Sequence, residues 1–215
     1  MLQQILHIYF RTITDLIPII NPIAVALFFL SFTAKEDNNA VKIYASKVGI
    51  YAAITMIFTL FAGEIILRFF GLTVDYVRVV GGILVFAMGW KMLNREQDDD
   101  LDAEHKPMSE RLFYPVTMPF AIGGGTLAVI LSLSTYIDTN SFKANSIENM
   151  AAVGGILTTS ILIILCCRFS KYLKKILGDG GVTVFMFIFA LLILYIGVSI
   201  SWSGAKPLIQ QLFTG

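Results

Sequence analysis

Two short runs carry four of the six prolines of a largely apolar chain, beside neutral polar residues and three successive glycines. In the first, Asp15 to Thr33 (DLIPIINPIAVALFFLSFT), Pro18 and Pro22 flank Asn21. Asparagine offers donors and an acceptor without a charge, so it can hold a polar solute where burying a charge would be costly. Asparagine followed by proline is also a well-suited helix N-cap, and the two roles are compatible. In the second run, Tyr114 to Thr135 (YPVTMPFAIGGGTLAVILSLST), Pro115 and Pro119 precede Gly123, Gly124, Gly125 and Thr126. A glycine inside a helix costs about 1 kcal/mol against alanine, so successive glycines point to exposed backbone. Amides opening onto the N-terminus of the following half-helix would hold a carboxylate or another anion. The alternative is a close helix crossing that needs no side chains. The expected substrate-binding set is Pro18, Asn21, Pro22, Pro119, Gly123, Gly124, Gly125 and Thr126.

Ionisable groups within the apolar runs are few. Asp15, one turn before Pro18, is the candidate coupling carboxylate for a proton or sodium ion, or an amine ligand, as intramembrane acids often are. Arg11, four residues earlier on the same helix face, can instead neutralise it. Glu64 and Arg68 repeat that spacing and read as a structural pair. His7 is terminal, and His105 lies in an acidic linker. No nucleophile-base-acid set, metal cluster or phosphate loop has the required spacing, so neither an enzyme nor a cofactor or metal is expected. Cys166 and Cys167 are adjacent within an apolar run and read as packing residues.

The elements that must position these runs follow from composition. The 215 residues are 56% hydrophobic and 14% charged, against about 25% charged in ordinary soluble domains, and so describe a membrane protein. A net charge of +1 gives no nucleic-acid footprint. Six segments approach the roughly 20 apolar residues of a membrane span: Ile5 to Ser31, Ile43 to Leu67, Tyr76 to Leu93, Leu112 to Tyr136, Met150 to Cys167 and Val182 to Trp202. The N-terminus lacks the pattern of a cleaved signal and is expected to remain as the start of the first span. Within the first and fourth spans, prolines four residues apart should open the helix. Non-helical backbone at membrane depth is tolerated only where it is buried in protein or lines a cavity, so each break is a site candidate.

A single transmembrane domain, residues 1–215, is expected. It divides into repeats at 1–93 and 112–215, joined by linker 94–111 with Asp98, Asp99, Asp100 and Asp102, which reads as solvated rather than as a calcium loop. Arg68-Phe-Phe-Gly71 and Gly89 in the first half are matched by Lys175-Ile-Leu-Gly178 and Gly197 in the second. Three spans per repeat force the second to enter from the opposite side. The expected fold is therefore all-α, with six transmembrane helices as two inverted three-helix repeats and helices 1 and 4 discontinuous. In such transporters the site lies at the midplane between discontinuous helices, and one half rocks against the other. Of the lysines and arginines, eleven fall in the loops after spans one, three and five and five on the opposite face, which places both termini outside the cytoplasm. Gly49 with Ala53, Ala151 with Gly155, and Gly81-Gly82 are expected to permit close helix packing.

Asn21-Pro22-Ile23-Ala24 followed by Phe29-Leu30-Ser31-Phe32-Thr33, and Pro119-Phe120-Ala121-Ile122-Gly123-Gly124-Gly125-Thr126, resemble the MarC family of prokaryotic integral membrane proteins. That family includes transporters of neutral amino acids. Ala26-Leu27-Phe28 stands where the family is expected to carry a further proline, and Gly124 where it often has proline. The resemblance implies a multi-pass carrier of the plasma (inner) membrane for neutral amino acids such as alanine or glycine, with protons as the coupling ion. The alternatives are a passive channel, a membrane scaffold or assembly protein, or a drug-efflux protein, as the family's older label suggests.

Overall fold

A computed structural model describes residues 2–71, 73–94, 107–136 and 142–214 of the chain. The four linker aspartates and His105 lie outside the described residues, as do the side chains of Glu64, Arg68 and Pro119 and hence the expected Glu64–Arg68 pair. In chain order the elements are α1 (Leu2–Ile20), α2 (Pro22–Thr33), α3 (Asn38–Phe69), α4 (Val74–Asn94) and the short α5 (Met108–Arg111). An irregular segment, Leu112–Ala121, follows, then α6 (Gly124–Tyr136), α7 (Phe142–Arg168) and α8 (Ser170–Thr214). No strand occurs among the described residues.

Among the described residues, three stretches are individually long and apolar enough to cross a bilayer: Asn38–Gly63 in α3, Ile147–Arg168 in α7 and Thr183–Gln211 in α8. The bent pair α1 and α2 makes a fourth if it is counted as one span. The other two expected spans occur as helical units that do not qualify on length and composition. One is α4, with Asp75, Arg78 and Lys91. The other is the irregular segment with α6, whose apolar helix covers only Gly124–Leu133.

Pre-proline sterics shape both breaks, because the ring disfavours the α region for the residue before it. Tyr114 (φ −125°, ψ 120°) and Met118 (φ −112°, ψ 126°) are extended in front of Pro115 and Pro119, so the second break is a ten-residue irregular stretch. Asn21, before Pro22, takes the left-handed conformation, φ 49° and ψ 74°, and the axes of α1 and α2 meet at 44°. Pro18 is accommodated inside α1.

The helices of each half pack chiefly on the other half. The main pairs are α4 with α8, α3 with α7, α1 and α2 with α7, and α3 with α6 and the irregular segment. To these are added α4 with α6, α2 with α8, α1 with α6, and α2 with the irregular segment. Exchanging the first span for the fourth, the second for the fifth and the third for the sixth maps these pairs onto one another; the smaller contact of α7 with α8 stands outside the exchange. The expected small residues sit at these crossings: a Cβ on Gly49 would meet Ser160 O of α7, and one on Gly155 would meet Tyr9 O of α1, each at 3.0 Å. The matched glycines Gly71 and Gly178 share a positive φ, 66° and 64°, just before the third helical unit of each half; at Gly178 residues 170–177 bend away from 179–214.

The buried core is drawn from the broken spans and their flanks. It includes Leu16, Ile20, Val25 and Phe29, packed with Val48 and Met56 of α3, Val116 and Ile122 of the second break, and Ile156 and Ile163 of α7. Cys167 belongs to this core and Cys166 packs against it, consistent with a packing role. Phe58, Phe61 and Ile65 of α3 and Phe187, Tyr195 and Trp202 of α8 face outward. Apolar surface on this scale suits a lipid environment.

Candidate functional site

At the first break the backbone is accounted for almost completely. Asn21 N–H donates to Ile17 O at 2.9 Å, Asn21 O accepts from Val25 N–H at 3.0 Å, and Asn21 Oδ1 accepts from Ala24 N–H at 3.2 Å. Asn21 is thus the N-cap of α2, with Pro22 as its first residue. The carbonyls of Thr14 and Pro18 would be paired in a continuous helix with the nitrogens of residues 18 and 22, which are prolines without a proton. One atom is left over: Asn21 Nδ2 is buried without a partner, in a residue only 5% exposed. An amide donor left unpaired in the interior costs about 1–3 kcal/mol.

At the second break the chain turns through wide bonds. Ile122 N–H donates to Thr117 O at 2.8 Å, and Thr117 Oγ1 donates to Leu112 O at 2.8 Å. The first bond into α6 runs from Leu127 N–H to Gly123 O at 3.1 Å. Gly124, Gly125 and Thr126 therefore form the first turn of α6, where backbone N–H groups lack partners within the helix and the dipole is positive.

The two breaks meet. A cavity of about 30 Å³ lies between them, lined by Asn21, Ile19, Ile20 and Ala24 from the first and by Phe120, Gly123, Gly125 and Thr126 from the second. Val85 of α4 and Ile193 of α8 complete its walls. Phe28 stacks on Phe120 across the junction, with centroids 4.0 Å apart. The broken spans run antiparallel: Arg111, at the start of the irregular segment, lies over the ring of Phe32 near the end of α2. The N-termini of α2 and α6 thus converge on one space that holds an unpaired amide donor. Its volume admits one or two waters and less than even glycine requires, so any larger solute needs the walls to part.

Of the expected site residues, the cavity gathers Asn21, Gly123, Gly125 and Thr126. Pro18 is exposed on the outer face of α1, and Pro22 is buried behind the cap. Gly124 realises the crossing alternative: a Cβ on Gly81 would fall 2.6 Å from Gly124 O, and one on Gly124 would fall 3.1 Å from Gly81 Cα. The crossing therefore holds at Gly124, while Gly123 and Gly125 line the cavity. Asp15 does not line this cavity; it pairs with Arg11 at 3.6 Å and opens onto a different one. Sequence reasoning did not identify Phe120, Val85 or Ile193 as walls. Among the described residues no group of three or more histidine, cysteine or acidic side chains could hold a metal ion.

Residues 6–209 match the family model described as "MarC family integral membrane protein". Relatives in Salmonella arizonae, Salmonella typhimurium and Escherichia coli O139:H28, each named inner membrane protein MarC, are 24% identical over 204 residues. Each alignment covers 91% of this chain and 92% of the relative. No solved structure matches the chain.

Proposed function

The chain belongs to the MarC family of integral membrane proteins, and from that premise we propose that it is a secondary carrier of small neutral amino acids such as alanine or glycine. The carrier works as six spans in two inverted halves in the bacterial inner membrane, with both termini on the non-cytoplasmic side. The exchange symmetry of the helix contacts supports the inverted arrangement. The observation that carries the site is Asn21 Nδ2, a buried donor without a partner in the cavity where two half-helix N-termini meet. The solute carboxylate binds there, against Asn21 and the first-turn amides of α6. The ammonium is taken by backbone carbonyls released at the prolines, and a proton or sodium gradient drives accumulation.

The cavity, too small for an amino acid, is read as the narrow state between two wider ones. The movement belongs to different bodies from the halves expected of an inverted repeat. Because each half is interleaved with the other, the pairs α4–α8 and α3–α7 shift relative to one another on either side of the broken spans.

The test is counterflow of a panel of labelled amino acids in proteoliposomes, with and without a pH or sodium gradient. Saturable counterflow of a small neutral amino acid is expected, falling at least about tenfold in Asn21→Gly, which keeps the left-handed backbone but loses the donor. Flux that neither saturates nor exchanges would mean a channel and end the carrier reading.

A further inference from the structure

The cavity onto which Asp15 opens is much larger than the one at the breaks, about 370 Å³. Its walls bring together Arg11, Asp15 and Ile19 of α1, Arg78 of α4, Ser132 of α6 and Ser203 of α8. It lies toward the start of α1 and the end of α6, the side that the carrier reading assigns to the cell exterior.

The charges on this wall differ in how they are held. Arg78 is fixed: its Nη1 donates to Asp75 Oδ1 at 2.9 Å and its Nη2 donates to Ser132 Oγ, tying α4 to α6. The Arg11–Asp15 pair is loose, with N···O at 3.6 Å and side chains 38% and 41% exposed. A wet pair of this kind has little net stability, so Asp15 can turn to a ligand at small cost. Among the described residues, Arg11 and Arg78 of the wall are matched by Asp15 of the wall and by Asp75, which is bonded to Arg78. A solute of either net charge would upset that balance, whereas a dipolar one would not. Ile19 also lines the cavity at the breaks, so the two spaces share a wall residue.

We infer that this vestibule is a second binding site for a zwitterionic α-amino acid, in series with the site at the breaks, with the carboxylate against Arg78 and the ammonium against Asp15. The choice of ligand class rests on the carrier reading; the site itself rests on the wall. The solute is captured here in water-accessible form and passes Ile19 when the cavity at the breaks widens.

The experiment measures labelled glycine binding to the full chain in lipid nanodiscs, for wild type, Asn21→Gly, Asp15→Asn and the double variant, with melting temperature as the folding control. Asn21→Gly should retain one saturable component, at least tenfold weakened by adding Asp15→Asn and restored by Asp15→Glu. Acetate and methylamine, each with half of the charge pattern, should compete at least tenfold less well than glycine. The proposal is overturned if Asp15→Asn changes neither site number nor affinity, if acetate competes as well as glycine, or if no binding occurs. Asp15-dependent glycine binding without counterflow of any amino acid would sink the carrier reading and leave the vestibule. Asn21-dependent counterflow with binding indifferent to Asp15 would do the reverse.

Discussion

Asn21 is the one residue other than glycine with positive φ among those described. Asparagine tolerates that region better than other side chains, because its short amide can bond locally. Here it does so through Oδ1, which leaves Nδ2 for a ligand. The two ends of one side chain can be separated experimentally. Asn21→Ala is a poor probe, since it removes the cap, worth about 0.5–2 kcal/mol, and strains the backbone as well. Asn21→Gly keeps the left-handed backbone, costs only a few tenths of a kcal/mol as a cap, and removes the donor that faces the solute carboxylate. It should melt within a few degrees of wild type yet lose about 10- to 100-fold in apparent affinity, the size of one hydrogen bond to a charged group. Equal losses of stability and uptake would mean that the side chain only caps. The dipeptide Asn-Pro made the cap legible in the sequence, but its left-handed backbone and unpaired nitrogen depend on packing around the break and have no local signature.

Between elements, the seam of α4 with α8 is the most closely fitted. A Cβ on Gly197 would lie 2.5 Å from Phe86 N, one on Gly82 2.5 Å from Gly197 O, and one on Gly204 2.5 Å from Asp75 O. Gly89 meets Leu194 N at 2.9 Å and Ala190 O at 3.0 Å in the same way. Residue numbers descend on α8 as they rise on α4, so the helices are antiparallel. Their glycines recur every seventh position, at 82 and 89 and at 197 and 204. Without a hydrophobic drive in lipid, this close approach is what holds such a pair together. Gly197→Ala should destabilise the protein in detergent by about 1–3 kcal/mol, the usual cost of overpacking. Gly180→Ala, with nothing within 4 Å of the new carbon, should be neutral or raise stability by about 0.4–1 kcal/mol. A similar loss at both positions would remove the seam's claim to specificity. Gly89 and Gly197 stood out in the sequence as punctuation shared by two halves, but that they meet one helix pair needs the three-dimensional arrangement. Val85 and Ile193 escaped notice for the same reason: they reach the cavity through this seam, and nothing local distinguishes them from other apolar residues.

At the scale of the whole molecule, the question is whether α1 and α2 cross the membrane or turn back within it. A 44° bend is shallow for a re-entrant hairpin, which must reverse direction. End-to-end contacts agree with crossing. Lys171 Nζ donates to Glu36 O at 2.7 Å, so the turns after α2 and α7 share one face, while Gln4 Nε2 bonds Glu148 Oε1 near the start of α7 at the other. Lys35, Arg111, Arg168, Lys174 and Lys175 gather toward the Glu36 face, and the positive-inside bias makes that face the expected cytoplasmic one. In a background with Cys166 and Cys167 replaced by alanine, single cysteines at Gln3 and Lys206 should react with a membrane-impermeant maleimide on intact cells. Cysteines at Lys35 and Lys175, also exposed positions, should react only after the membrane is opened. If positions 3 and 35 react from the same side, the first break is the tip of a re-entrant loop. The two halves would then not be inverted copies, and the meeting of two half-helix N-termini would lose its place at the middle of the bilayer.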